Sequence, residues 1–146
     1  MREYLFRGKR CDNGEWIEGS LIIYDWDNRY ISIYSTEEEM AFRVDPETVG
    51  QYTGLTDNNE KKIFEGDIVR YTNELEEINA PEIGVVVYEK SECHFEVQRE
   101  IKNHCNVCIP KSINVAYLFD DVRCSYEVIG NIYDYDNPEL LEDVEA

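Results

Sequence analysis

The feature that most restricts the fold of this chain is an alternation of apolar and polar side chains with a period of two residues. Met40, Phe42 and Val44 alternate with polar or small neighbours, and residues 113–119 repeat the pattern. This spacing is typical of half-buried β-strands, because successive side chains of a strand point to opposite faces. The 3.6-residue period of an amphipathic helix is nearly absent. The sequence therefore predicts an all-β protein.

Short strand-like segments separated by turn residues favour a small, partly open β-barrel of the SH3-like type. Residues 21–24 and 30–34 flank a polar turn at 25–28, which predicts a β-hairpin. Residues 84–88 form the strongest strand pattern, and residues 126–133 the last one. The one helix signal is terminal, with Asn137 as cap and Pro138 at the first helical position.

The length of 146 residues is that of one domain. Within it we place an N-terminal β subdomain at residues 1–60, which contains the hairpin. Residues 61–146 then form the barrel and the short C-terminal helix.

The net charge of −18 is the extreme feature of the composition. Residues 1–70 carry a net charge of −6, whereas residues 71–146 carry −12. Such a chain repels nucleic-acid phosphates and anionic membranes, so neither is an expected partner. Basic proteins and cations remain as partners, and solubility alone also accounts for an acidic surface.

Five cysteines and the lack of an apolar leader or membrane-spanning run predict a reduced, cytoplasmic protein. Both histidines lie close to three of these cysteines, in the segments Cys93-His94 and His104-Cys105-Asn106-Val107-Cys108. These residue types could form a tetrahedral zinc shell. However, Cys93 and His94 are adjacent, and there is no second C-x-x-C. We therefore interpret Cys93 as an inward-facing strand residue beside Phe95, and expect no metal or other cofactor.

Other candidate sites are weaker. The acidic clusters at Glu37–Glu39 and residues 74–77 lack the spacing of a calcium loop and are expected to be solvated. A basic cluster at Arg2, Arg7, Lys9 and Arg10 is expected to pair with neighbouring acids. No phosphate-binding loop or nucleophile motif is found, so we expect no catalytic residues and no enzyme activity.

Several motifs together resemble the YopX family of phage and prophage proteins. The central elements are TGLTDNN at residues 53–59 and IFEGDIV at residues 63–69, and the closing elements are EVIGNIY at 127–133 and NPELL at 137–141. FRG at residues 6–8 and VGQY at 49–52 are similar to the opening elements. The resemblance implies a β-rich, phage-encoded protein of unknown activity in the host cytoplasm, with no catalytic residues to transfer.

Three positions within these motifs have structural interpretations. Gly66 allows a sharp turn into a strand, where the Asp67 side chain accepts backbone N–H bonds. Asn59 replaces a glycine that is usual in the family, which predicts a positive φ at this residue. Gly130 inside a strand pattern predicts a β-bulge or a close backbone crossing.

Tyrosine is over-represented, with eleven residues. It suits both half-buried strand positions and protein interfaces, and the sequence does not separate the two. The tyrosines in or beside predicted strands are Tyr24, Tyr30, Tyr34, Tyr71, Tyr88, Tyr117, Tyr126 and Tyr133.

The leading functional hypothesis is a non-enzymatic phage accessory protein that binds another protein, with self-association left open. Two alternatives stay open. An acidic domain could imitate the phosphates of a DNA duplex and inhibit a host nucleic-acid enzyme, or the Cys/His segments could form a small zinc-binding domain.

Overall fold

The computed structural model describes residues 3–25, 27, 29–73, 82–91, 93–99, 111–114 and 124–134. Within these residues the chain forms eleven strands and one short 3-10 helix at Pro46–Thr48. The strands are β1 (Phe6–Lys9), β2 (Trp16–Ile23), β3 (Ile31–Ser35), β4 (Met40–Val44), β5 (Gly50–Thr56), β6 (Lys62–Phe64), β7 (Asp67–Asn73), β8 (Glu82–Glu89), β9 (His94–Arg99), β10 (Lys111–Asn114) and β11 (Cys124–Asn131).

The predicted all-β class is confirmed. The described strands form two antiparallel sheets without closing into a barrel. A period-two pattern identifies strands, whereas closure requires pairing between strands that are distant in sequence. The predicted C-terminal helix lies outside the described residues. Among the residues that are described, no helix is long and apolar enough to cross a membrane.

The chain divides into two compact units, Met1–Gly54 and Leu55–Ala146, whereas the sequence predicts this division at residue 60. In the first unit, the strand order is β4-β3-β2-β1-β5. The predicted hairpin is β2–β3, in which Ile23 pairs with Ile31 and the Tyr24 N–H donates to the Tyr30 carbonyl at 3.1 Å.

The core of the first unit lies on one face of its sheet. Ile31, Ile33 and Val44 are buried there. They are surrounded by the partly buried side chains of Phe6, Ile17, Leu21 and Val49. Gly19 of β2 lies against the backbone of β3, and an added Cβ would overlap the Tyr34 carbonyl oxygen. This close approach requires glycine.

In the second unit, the end of β5 and β6 form a hairpin, and the remaining strands form a sheet of order β10-β9-β8-β7-β11. The buried core consists of Ile63, Val69, Val86, Val97 and Tyr126. The pairing of β11 with β7 shifts register between Val128 and Gly130, which confirms the irregularity predicted at this glycine.

Candidate functional site

The first candidate functional residues are those of the central motif, and among them Asp57 accepts three backbone hydrogen bonds. Its Oδ1 accepts the N–H groups of Asn59 and Lys61 at 2.9 and 2.8 Å, and its Oδ2 accepts that of Val128 at 2.9 Å. Burial by itself raises the pKa of Asp57, but the three hydrogen bonds and the nearby charge of Lys61 outweigh it, so the pKa is lowered. The carboxylate therefore joins the β5–β6 turn to β11 and has a structural role.

Asp67 and Gly66 form a second structural element. Asp67 is 1% exposed, and its Oδ2 accepts the Phe64 N–H at 2.8 Å, as predicted. Gly66 has a φ of 88°. A Cβ at Gly66 would lie 2.9 Å from the Tyr133 ring. These contacts hold the tight turn from β6 into β7.

The left-handed residue of the β5–β6 turn is Glu60, with a φ of 61°, and not Asn59 as predicted. The reason is the geometry of Asp57. Its Oδ1 accepts from both Asn59 and Lys61, which places the chain reversal at the residue between them. Asn59, which replaces the glycine usual in the family, therefore has no positive φ and no backbone strain.

The Cys/His segments are described only in part, because His104, Cys105 and Cys108 lie outside the described residues. Cys93 is exposed, has a φ of 58°, and its Sγ lies 3.6 Å from the Lys90 carbonyl. The prediction of an inward-facing Cys93 is therefore wrong, because β9 begins only at His94. In the described part of the chain, no three His, Cys, Asp or Glu side chains are arranged to hold a metal ion.

Glu96 was missed by the sequence reasoning. Its alternation with Phe95 and Val97 in the sequence does not indicate burial, yet Glu96 is only 3% exposed. Its Oε1 lies 3.3 Å from His94 Nε2, an ion pair when the histidine is protonated. Alternation shows that Glu96 faces away from the core of Val97, but it does not show whether that second face is covered.

The basic cluster is partly paired with acids. Arg10 makes two hydrogen bonds with Asp12 at 2.6 and 2.9 Å, and the hydrogen bond from Arg10 lowers the pKa of Asp12. Arg7 and Lys9 lie over the Trp16 ring, with distances of 4.8 and 5.5 Å to its centroid. Arg2 lies outside the described residues. Aromatic contacts therefore account for part of this cluster, which the sequence did not predict.

Four side chains on the face of the first unit's sheet opposite its core form a surface that we call the tyrosine strip: Tyr24, Tyr30, Tyr34 and Arg43. Tyr24 is 55% exposed, Tyr30 is 44% exposed and Tyr34 is 39% exposed. The rings of Tyr24 and Tyr30 meet edge to face with centroids 4.9 Å apart. The Arg43 guanidinium lies 4.6 Å from the centroid of the Tyr30 ring.

The register explains why these side chains share a face. Tyr30 immediately precedes β3 and Tyr34 lies within it, and an even separation along a strand places both on one side. Ser32 between them pairs with Arg43 of β4, which brings the arginine beside Tyr30. At about 3.3 Å per residue, the strip is about 13 Å long.

An acidic turn adjoins each end of the strip. The turn that joins β2 and β3 contains Asp25 and the exposed Asp27, and the Asp25 Oδ1 accepts the Arg29 N–H at 3.0 Å. The turn that joins β3 and β4 contains Glu37–Glu39, which are all exposed, as predicted for a solvated loop. The other acidic cluster, residues 74–77, lies outside the described residues.

The remaining tyrosines differ in environment. Tyr88 is exposed and packs edge to face on Phe95 at 5.1 Å, whereas Tyr126 is buried in the core of the second unit. Tyr133 is half-buried beside Gly66. Tyr117 and the side chain of Tyr71 lie outside the described part. The structure thus brings three of the eight tyrosines together on one surface.

Comparisons with known proteins agree with the motifs. Residues 5–142 match the family described as YopX protein. Among solved structures, the chain is similar to protein EF1440 from Enterococcus faecalis, with a TM-score of 0.51 and 22% identity over 97% of this chain and 99% of that chain. This likeness shows the fold alone. No curated protein gives a match. Because the family match extends over nearly the whole chain, the protein belongs to the YopX family.

Proposed function

We propose that the protein is a non-enzymatic binding module that uses the tyrosine strip to hold another protein. The single observation that carries this proposal is the grouping of exposed Tyr24, Tyr30 and Tyr34 with Arg43 on one sheet face. Tyrosine and arginine are enriched among the residues that dominate the binding energy of protein interfaces. A rigid ring with a polar tip loses little conformational entropy when it is bound.

The structural roles of the two aspartates in the central motifs are consistent with a binding function. Asp57 and Asp67 accept backbone N–H groups and hold turns, so neither side chain is placed to act on a substrate. The motif resemblance suggests a phage or prophage setting. We propose that the protein acts in the cytoplasm of the bacterial host on a host or phage protein.

The test is capture of a partner from phage-bearing cells, followed by reconstitution with the purified partner. A Tyr24→Thr/Tyr34→Thr double variant removes two exposed rings and retains strand-forming residues. The matched control is Tyr88→Thr, because Tyr88 is an exposed strand tyrosine of the second unit. Thermal unfolding of all three proteins verifies that each is folded.

The proposal predicts that the wild type and the control bind the purified partner in stoichiometric amounts and that the double variant does not. Equal binding by all three proteins would show that the strip is not the interface. Failure to recover any partner, together with turnover in a substrate screen, would refute the binding function itself.

A further inference from the structure

We infer that the occupant of the tyrosine strip is a basic, extended polypeptide segment that stacks arginine side chains on the strip. This inference rests on the proposed function and adds the chemistry of the partner. Three observations carry it: an arginine–tyrosine contact within the strip, the acidic turns at its ends, and its length.

The strip already contains one contact of the kind that we infer. Arg43 stacks on Tyr30 at 4.6 Å from the ring centroid. Arginine is the side chain that most often stacks on aromatic rings, because its planar guanidinium is weakly hydrated and permanently charged. Tyr24 and Tyr34 remain 55% and 39% exposed, so a partner has access to both side chains.

The charge distribution selects a cationic occupant. Asp25 and Asp27 adjoin one end of the strip, and Glu37–Glu39 adjoin the other. The first unit carries 11 acidic and 6 basic residues, and the whole chain has a net charge of −18. An acidic partner is therefore repelled at long range, and so is a second copy of this chain, whereas a basic segment is attracted.

The length of the strip determines how far apart the arginines of the bound segment must be. Tyr24 lies opposite Tyr30 across the β2–β3 hairpin. Along the strands, Tyr24 and Tyr34 are therefore separated by the same four residues as Tyr30 and Tyr34, which is about 13 Å. An extended peptide advances by the same amount per residue, and residues separated by four positions face the same side. The segment that fits has two arginines at positions i and i+4, with further cations that reach the acidic turns.

The test uses the full chain, labelled for NMR, and a soluble peptide of Gly and Ser with arginines at i and i+4 and a lysine at each end. Matched peptides carry glutamates in place of the arginines, or arginines at i and i+3. Backbone amide shifts are followed at two salt concentrations. Variants are the Tyr24→Thr/Tyr34→Thr protein, the Tyr88→Thr control, and Glu37→Gln/Glu38→Gln/Glu39→Gln.

The expected shifts are confined to residues 22–44, which include the strip and both acidic turns, and are larger for the i,i+4 peptide than for the i,i+3 peptide. Loss of two exposed arginine–tyrosine contacts weakens binding by roughly 5- to 30-fold in the double tyrosine variant. The Tyr88→Thr control binds like the wild type. The triple glutamine variant binds more weakly and with a smaller salt dependence.

Equal shifts from the glutamate peptide, or no shifts at the strip, would overturn the inference. If the resonances of the strip shift when the protein concentration is raised, but not when peptide is added, the occupant is a second copy of the chain, and the inference is also overturned. Failure of the peptides while the purified partner still requires Tyr24 and Tyr34 would reject the basic segment and keep the proposed function. If the peptides fail to bind and the purified partner does not require Tyr24 and Tyr34, both the basic segment and the proposed function are rejected.

Discussion

Asp57 provides the sharpest test of how the family motif stabilises the fold. In an Asp57→Ala variant, three backbone N–H groups lose the carboxylate that accepts them. A hydrogen bond to a charged acceptor contributes about 1.5–3 kcal/mol, and the Val128 donor lies in a half-buried strand, so its loss falls in this range. Water replaces the acceptor more easily at Asn59 and Lys61, in the turn. We expect a total loss of about 2–4 kcal/mol in the free energy of unfolding.

The Asp57→Asn variant keeps the shape of the side chain but removes its negative charge. Its amide oxygen can still accept from Asn59 and Lys61, but its NH2 group then faces the Val128 N–H, so that the third bond is lost. We expect a loss of about 1.5–3 kcal/mol. The control is Asp45→Ala, in which an exposed aspartate loses only the bond from the Glu47 N–H at 3.1 Å. Its expected loss is about 0.5–1 kcal/mol.

The assay is urea unfolding monitored by tryptophan and tyrosine fluorescence, at pH 7 and at lower pH. Because the pKa of Asp57 is lowered in the folded state, its stabilisation is fully present above the unfolded pKa of about 4 and is lost as the pH falls through the folded pKa. The stability difference between wild type and Asp57→Asn therefore shrinks below about pH 4. A difference below about 0.5 kcal/mol at pH 7 for both Asp57 variants would refute the structural role.

Three further predictions follow from single features. Gly19→Ala forces a Cβ into the Tyr34 carbonyl oxygen and is expected to destabilise the first unit by about 2–3 kcal/mol in urea unfolding. In the control Gly14→Ala, no atom lies within 4 Å of the added Cβ, and the expected loss is only about 1–2 kcal/mol, which comes from the positive φ of this residue. Glu60→Gly relieves a positive φ of 61° and is expected to raise the thermal midpoint; an unchanged or lower midpoint would contradict this. Elemental analysis is expected to find no stoichiometric zinc, and one zinc per chain that is lost in a Cys105→Ser/Cys108→Ser variant would contradict this.

Local chemistry made several elements predictable. The β2–β3 hairpin follows from two β-branched and aromatic runs around a polar turn, and the Gly66–Asp67 turn follows from the conformational range of glycine and the acceptor geometry of aspartate. Both are interactions between residues near each other in sequence. The irregularity at Gly130 was also predictable, because glycine inside a strand pattern favours a bulge, although the register shift itself lies in the pairing of β11 with the distant β7.

The errors concern features that depend on distant contacts. Cys93 was predicted to face inward, but it is exposed because β9 begins only at His94. The burial of Glu96 was not predicted, because alternation separates the two faces of a strand without showing what covers each of them. The positive φ at Glu60 depends on where the Asp57 carboxylate lies, and this carboxylate also binds Val128, 71 residues away. No local pattern contains that information.

The sequence by itself determined the all-β class, the hairpin, the acidic character and the family motifs, because strand alternation, turn chemistry and charge are properties of neighbouring residues. Only the tertiary structure decided which tyrosines form a surface. Tyr24, Tyr30 and Tyr34 have the same local pattern as the buried Tyr126. They differ because pairing with β4 places Arg43 beside Tyr30 on an exposed face, whereas pairing of β11 with β7 places Tyr126 inside a core.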